Sequence, residues 1–511
     1  MKKFLTTLAA CGLATVSAFS FSACSPMSNG YGDYGWSGSY APGNSADSES
    51  SDSATGGENF VHGQVIEQDF TATAEKSSSY FSLNRNTASY SQIRYQIENG
   101  WTISPDSVRV EELINYFNYD FDAPEEKAVA VSAYLGDCPW ENTHKLMLAG
   151  IKTDEMKLDA VNGNYVFLID VSGSMSGDDR LGLAKKGLNK LVDGLGDGDV
   201  VSIVTYASGV KTVLDGGECS ESGKADVKSK ISGLKAGGST FGSAGLQRAY
   251  EIAEKHYITG GNNRVIIITD GDFNVGISNK DDMMEYISAR TVAEKSVYLS
   301  VLGVGMGNMR DDMLETLSRH GNGNYAYLDN EMEAEKVLCH ELNGTLMTVA
   351  KDAKAGVKFN EENVVKYRLI GYDTLIISRE EFEDETTDTG EIGSNLCVAA
   401  LYEIELAEDA EGDLAEIEVR YKDVRGEAEF SDSVTAEVTT ATASSPDFKF
   451  VTCVAEFGLV IRQSKYALNA DLYSVLERLE IISDYLSADP YRLSFKTLVG
   501  QASEKYGFVA E

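Results

Sequence analysis

Between Asn162 and Ala350 the hydrophobic pattern changes period repeatedly. Tyr165 to Ile169 is an unbroken apolar run of the kind a strand shows when both faces are covered. Leu181 to Leu195 follows, with apolar residues at 181, 184, 188, 191, 192 and 195, the spacing of an amphipathic helix. Val200 to Tyr206 is the next run, and Val210 to Leu214, across the short Ala207-Ser208-Gly209 link, is its expected hairpin partner. Helices are predicted over Lys224 to Leu234 and Ala244 to Tyr257, then a strand over Val265 to Ile268 and a helix over Asp281 to Ala293. A strand over Val297 to Val304, a helix over Arg310 to His320, a strand over Asn324 to Leu328 and a helix over Met332 to Val349 complete the series. This alternation predicts an α/β fold, a doubly wound, mostly parallel, Rossmann-like sheet with one antiparallel edge hairpin.

On either side the period changes to that of strands. Leu83 to Glu98 and Ser107 to Phe117 are helical patches, but Val129 to Tyr134 and Leu146 to Ile151 have strand character. So do Val365 to Tyr372 and Leu396 to Leu406, and Ile417, Val419 and Tyr421 alternate with Glu416, Glu418 and Arg420. We expect the flanking strands to form one β-sandwich into which the α/β unit is inserted. The tail differs: Phe450 to Ile461 has helical spacing, Leu472 to Leu486 places apolar residues at 472, 475, 476, 479, 482 and 486, and a third helix is expected after Pro490. The expected divisions are an N-terminal region 59–161 of helices and strands, the α/β unit 162–350, a β-rich region 351–440 and a helical region 441–511.

The first residues place the chain outside the cytoplasm. Lys2 and Lys3 precede an apolar stretch from Phe4 to Phe21, and small residues lead to Cys24, the layout of a secretory signal over 1–23. Thr15, Ser17 and Ser20 interrupt the stretch, which argues against an uncleaved membrane span. Phe21-Ser22-Ala23-Cys24 resembles the lipobox of bacterial lipoproteins, which implies lipid attachment at Cys24 and an anchor in the bacterial cell membrane or outer membrane. From 24 to 58 the chain is Ser, Gly, Asp, Asn and Tyr with almost no aliphatic side chains, so it has nothing to bury and serves as a tether. Its r.m.s. reach is roughly 30 Å.

Composition removes several function classes. The 511 residues are 42% hydrophobic, enough for more than one core, and carry a formal charge of −36. That charge opposes nucleic acid and anionic lipid head groups. Of seven cysteines, Cys11 leaves with the signal and Cys24 takes lipid; Cys138, Cys219, Cys339, Cys397 and Cys453 are far apart with no C-x-x-C, which excludes a dense disulfide framework and a zinc site of the usual spacing.

Ligands of doubly wound sheets sit beyond the carboxyl ends of the strands. Three loops there carry hard oxygen donors: Asp170-Val-Ser172-Gly-Ser174, then Gly237-Gly238-Ser239-Thr240, then Thr269-Asp270-Gly271-Asp272. Asp170, Ser172, Ser174, Thr240 and Asp270 converge on one edge as two carboxylates and three hydroxyls, a donor set for a divalent ion. A lone D-x-S-x-S also serves as a helix N-cap. Thr240 and Asp270 on separate loops tilt the balance to metal.

The D-x-S-x-S, T and D elements resemble the metal-ion-dependent adhesion site of the von Willebrand factor type A (VWA) domain. The resemblance implies that the hydroxyls of Ser172, Ser174 and Thr240 ligate the ion, that Asp170 and Asp270 act directly or through water, and that one position stays open for a partner's carboxylate. An ion held mainly by neutral hydroxyls stays electron-poor and gains from an anionic oxygen supplied by the partner. Beyond the core, Pro105-Asp106-Ser107-Val108-Arg109-Val110-Glu111-Glu112-Leu113-Ile114-Asn115-Tyr116-Phe117, Cys138-Pro139-Trp140, Asn262-Asn263-Arg264-Val265-Ile266, Gly321-Asn322-Gly323-Asn324-Tyr325-Ala326-Tyr327 and Tyr367-Arg368-Leu369-Ile370-Gly371-Tyr372 are similar to the YfbK-like bacterial VWA proteins. Asn84 and Asn86 depart from that pattern, which tends to have aspartates there.

The function expected is therefore that of an envelope-anchored binding protein, not an enzyme, docking an Asp or Glu of a protein partner on a bound ion, Mg²⁺ before Mn²⁺ or Ca²⁺. A metal-dependent hydrolase is the alternative, because an open position on an ion also activates water; the loops hold no adjacent histidine as base, and His256 and His320 fall in helices. A scaffold in which the ion only stabilises the fold is a third reading.

Overall fold

The computed structural model describes residues 66–156, 162–239, 243–271, 280–291, 294–306, 311–341, 348–387, 389–424 and 430–506. Residues 1–65, with Cys24 and the expected signal and tether, lie outside that set, as does Thr240.

Six strands build the central sheet in the order Tyr325–Leu328, Tyr298–Val304, Asn262–Thr269, Gly163–Asp170, Val200–Tyr206, Val210–Glu218. All neighbours are parallel except the last pair, the antiparallel hairpin. Every residue of Gly163–Asp170 and of Asn262–Thr269 is buried, because alternate side chains meet different helical layers. Tyr165, Phe167 and Ile169 face the cluster with Leu188, Leu191, Val227 and Leu338; Val166 and Leu168 face the one with Leu246, Tyr250, Ile287 and Leu317. Each such large side chain, fully buried, contributes about 1.5–3 kcal/mol. The fold is the doubly wound α/β unit that the periodicity predicts.

The flanks build two more sheets, and strands from before and after the α/β unit share both. One has the order Thr71–Ala72, Val364–Ile370, Cys397–Leu406, His144–Thr153, Val129–Asp137. In the other, Gly390–Gly393, Thr348–Phe359, Asp413–Asp423 and Phe430–Thr439 are joined by Ser78–Ser82 on Thr348–Phe359. Their facing sides form one core, with Met147, Ala149, Ala400 and Tyr402 from the first sheet against Ala355, Val357, Ile417 and Val419 from the second. The opposite side of the first sheet, with Leu146, Leu148, Ala399 and Leu401, is covered by helices. Chief among them is Pro446–Arg462, started by a Ser445 cap on the Phe448 N–H and ended by Gln463 in the left-handed region. It is buried nearly all round, so it is a core helix of the flank and not an outlying cap.

Several element edges differ from the sequence reading. Leu83–Thr87 is not helical and the helix begins at Ala88. The helix expected over Met332 to Val349 is a short α-helix Glu331–Glu335 running into a π-type segment Lys336–Glu341, and Thr348 and Val349 already belong to a strand. β-branched residues at 345, 348 and 349 favour the strand over a helix of that length. Leu472 to Leu486 breaks at Ile482 into Leu472–Ile481 and Ser483–Ser487. Cys138, Cys219, Cys397 and Cys453 are buried thiols and Cys339 is half-buried; none of the five is bonded to another.

The flank and the α/β unit meet through buried ion pairs. Arg94 of the helix Ala88–Glu98 contacts Asp329 at 2.5 Å and Glu333 at 2.7 Å. Glu341 takes Lys336 at 2.6 Å and Arg85 at 2.8 Å. Glu315 takes Arg319 at 2.8 Å, Arg109 at 3.3 Å and the Asn86 amide at 3.3 Å.

Candidate metal centre

The strand Gly163–Asp170 pairs with Val200–Tyr206 on one side and Asn262–Thr269 on the other, so Asp170 ends beside Tyr206 and Thr269. The chain winds away from it in both directions, which makes its carboxyl end the switch point of the sheet. Asp170 is fully buried there. Its Oδ1 accepts the Ser172 N–H at 2.8 Å and its Oδ2 accepts the Thr269 hydroxyl at 3.4 Å. Burial pushes the Asp170 carboxyl up to about 6 against the pull of the Ser172 N–H, and the charge of Asp270 adds to the push.

The loop after Asp170 is held by backbone, not by chance rotamers. Val171 N–H donates to the Tyr206 carbonyl at 2.9 Å, Gly173 N–H to the Gly238 carbonyl at 3.0 Å, and Gly237 N–H to the Val171 carbonyl at 2.8 Å. Gly238 sits at φ +94, and a Cβ there would lie 2.5 Å from Ser208 Oγ, so glycine lets the second loop pack against the hairpin turn at Ser208. Ser208 Oγ in turn accepts the Ser239 N–H at 3.0 Å. The loop then turns through a 3₁₀ segment, Gly173–Met175, whose Met175 is an apolar anchor with no exposed surface. With the backbone so fixed, the Ser172 and Ser174 hydroxyl oxygens stand 2.9 Å apart.

Asp270 follows directly on the third strand and is 2% exposed. Its Oδ1 is buried with no hydrogen-bond partner among the described residues. Burying an unsatisfied carboxylate oxygen is costly unless a cation is intended for it. The donor chemistry of the residues present fits a divalent ion: two hydroxyls side by side, a carboxylate bonded to the Ser172 backbone, and, on the adjoining strand end, a buried carboxylate oxygen without a partner among the described residues. Among the described residues no three His, Cys, Asp or Glu side chains gather as a metal cluster; an ion at these residues would have to be held through hydroxyls as well as carboxylates. The structure brings Asp170, Ser172, Ser174 and Asp270 to adjoining strand ends, and the Ser239 that precedes Thr240 stands at the same rim.

Over 427 residues the chain is 36% identical to the protein YfbK of Escherichia coli (strain K12), covering 78% of this chain and 73% of that one. The chain belongs to the YfbK family of VWA-domain proteins. The family model described as "Uncharacterized protein YfbK, C-terminal" matches residues 344–504, that described as "von Willebrand factor type A domain" matches 165–272, and one described as "von Willebrand factor" matches 57–148. The inter-alpha-trypsin inhibitor heavy chain H3 of Mesocricetus auratus is 29% identical over 182 residues, 34% of this chain and 20% of its own length. Among solved structures, a von Willebrand factor type A protein from Catenulispora acidiphila is similar at 14% identity with a TM-score of 0.40, over 75% of this chain and 98% of that one.

In this YfbK-family chain three residues at the centre escaped the sequence reading. Tyr206 looks like the apolar end of a strand, Thr269 like its last β-branched residue, and Arg180 like the start of a solvated helix. A threonine directly before the loop aspartate, where the neighbouring strand also ends in an aspartate, is the one signal that pointed to Thr269. His256 pairs with Asp215 at 2.7 Å, His320 with Ser288 at 3.0 Å and His144 with Glu403 at 2.6 Å.

Proposed function

We propose that this protein is an exported, envelope-anchored binding protein whose VWA domain docks an acidic side chain of a protein partner through a bound divalent ion, Mg²⁺ before Mn²⁺ or Ca²⁺. The ligand set of the reading is Asp170, Ser172, Ser174, Thr240 and Asp270, with a lipid anchor at Cys24. What carries it is the pair of neutral hydroxyls 2.9 Å apart on one strand-end loop, with Asp270, whose buried Oδ1 has no hydrogen-bond partner among the described residues, at the end of the adjoining strand. A bound ion supplies an electron-poor centre with a place for one more oxygen. Asp170 holds the Ser172 backbone in register, the Gly238 contact keeps the two loops at a fixed separation, and Ser172 and Ser174 present lone pairs without charge. Such a site favours an anionic oxygen from outside, because its own donors leave the ion under-neutralised. The net charge of −36 keeps the recognition local to the site and its rim.

Catalysis fits these residues less well. Activating water on an ion requires a base within hydrogen-bond reach, and His144, His256 and His320 are each engaged elsewhere. The deciding experiment is capture of envelope proteins on the purified chain. Binding lost with EDTA, restored by Mg²⁺ and abolished in Asp170→Ala is the expected result; capture indifferent to all three rejects the reading.

A further inference from the structure

The turn that leaves the site loop has a feature that metal ligation alone does not require. Residues Asp178–Gly182 form a single π-type turn, with the Gly182 N–H on the Gly177 carbonyl at 3.0 Å, before the regular helix starts at Leu183. Widened turns of this kind are uncommon and gather at functional sites, because they re-aim a side chain. Here the side chain is Arg180. Its Nη1 donates to the Ser174 carbonyl at 2.5 Å, and its Nε lies 3.8 Å from the Asp179 carboxylate with no hydrogen-bond acceptor among the described residues. The side chain is 27% exposed, although its Nε is buried. It lies on Gly305, just beyond the strand Tyr298–Val304: a Cβ there would stand 2.4 Å from Arg180 Nε, and the backbone is at φ +69. Backbone on two sides thus fixes the guanidinium against the main chain of Ser174, one of the two serines of the site.

A fixed positive charge next to a cation site works against the cation. A site meant only to hold an ion for stability gains nothing from it. The charge is useful when the occupied state includes an anion supplied from outside, and a guanidinium offers the forked N–H geometry that matches a carboxylate. We propose that Arg180 is the specificity-determining residue of this docking site, coupling ion binding to carboxylate binding so that the ion is held weakly alone and tightly once an acidic group arrives. This rests on the docking reading above. The coupling is reciprocal, so it can be read from either ligand.

The test is titration calorimetry of Mg²⁺ into the full chain, with and without acetate as the carboxylate probe. In the natural sequence acetate raises the Mg²⁺ affinity. In Arg180→Met the affinity for Mg²⁺ alone is equal or higher, and the acetate enhancement falls by about fivefold or more. Arg180→Lys, which retains the charge without the fork, keeps part of it. Unfolding in EDTA verifies that each variant is folded; if Arg180→Met is not, Gly305→Ala, which displaces the guanidinium without removing it, must show the same loss. An acetate enhancement in Arg180→Met equal to that of the natural sequence overturns the proposal and leaves the docking reading standing. Mg²⁺ binding that acetate does not change in the natural sequence overturns both.

Discussion

Arg94 holds Glu333 at 2.7 Å and, with the same guanidinium, Asp329 at 2.5 Å, and all three side chains are almost wholly buried. Tyr116, at the end of the flank helix Val110–Asn115, donates its hydroxyl to Glu333 at 2.6 Å. A helix of the N-terminal flank is thereby tied to the last strand and last helix of the VWA domain through a desolvated ion cluster. Removing one member leaves a buried charge without its counterion, so Arg94→Met is expected to cost about 3–5 kcal/mol in urea unfolding. Combining Arg94→Met with Glu333→Leu should cost clearly less than the sum of the single variants, a coupling that a double-mutant cycle reads directly.

Mg²⁺ should raise the melting temperature of the chain in proportion to the logarithm of its concentration, reaching about 2.7 kcal/mol of stabilisation at a hundredfold excess over its dissociation constant. Ser172→Ala and Ser174→Ala are expected to lose that shift while melting in EDTA within about 1 kcal/mol of the natural sequence, since each removes one hydroxyl and no buried apolar group. Thermal scans with EDTA and with Mg²⁺ on the three proteins decide it.

Glu111 gives the fold a pH dependence of its own. Burial, reinforced by the nearby Asp373, pushes its carboxyl from an ordinary 4.5 up to about 7, and its Oε2 has no hydrogen-bond partner among the described residues. The folded chain holds this proton more tightly than the unfolded one. The group therefore subtracts stability as pH rises from 4.5 to about 7, and the full penalty of about 3 kcal/mol stands above that range. Glu111→Gln is expected to unfold at higher denaturant than the natural sequence at pH 8 and at the same denaturant near pH 4. Equal stability at pH 8 refutes the assignment.

Asn86, at the seam of the flank and the α/β unit, donates its amide to Glu315 at 3.3 Å. Asn86→Asp places two carboxylates in contact inside a cluster whose cations, Arg109 and Arg319, already serve Glu315. A loss of about 1–2 kcal/mol at neutral pH is expected, recovered in part on acidification. Chemical denaturation at pH 7 and pH 5 measures both.

The α/β unit was legible because its strands are short runs of Val, Ile and Leu buried on both faces, a pattern that depends on no partner. The centre was legible in its aspartates and serines for the same reason: they follow such runs directly. What the sequence concealed depends on distant partners. Phe430–Thr439 alternates apolar residues only at Val434, Ala436 and Val438, its Ser431-Asp432-Ser433 stretch has none, and Asp413–Asp423 pairs with it along its whole length. Ser78–Ser82 is likewise polar and is defined by Thr348–Phe359. Arg180 was hidden for another reason, since a π-type turn has no composition of its own and its aim is set by Gly305 from another strand.

The interleaving of the flanking strands fixes an order of events. His144–Thr153 pairs residue by residue with Cys397–Leu406, and Lys152 reaches Cys397 across 245 positions of chain. Of the early strands, Val129–Asp137 and His144–Thr153 pair with each other, but Thr71–Ala72 and Ser78–Ser82 pair with strands that follow the insert, whereas every strand of the inserted sheet has its neighbours between Gly163 and Leu328. Thr153 and Thr348, on either side of the insert, both meet Gly393. An insert that folds first acts as a splint: it brings those two ends together and lowers the loop-closure entropy that the surrounding sandwich must overcome. The VWA domain would then be a folding aid to its own frame, independent of whatever the sheet edge at Asp170 binds.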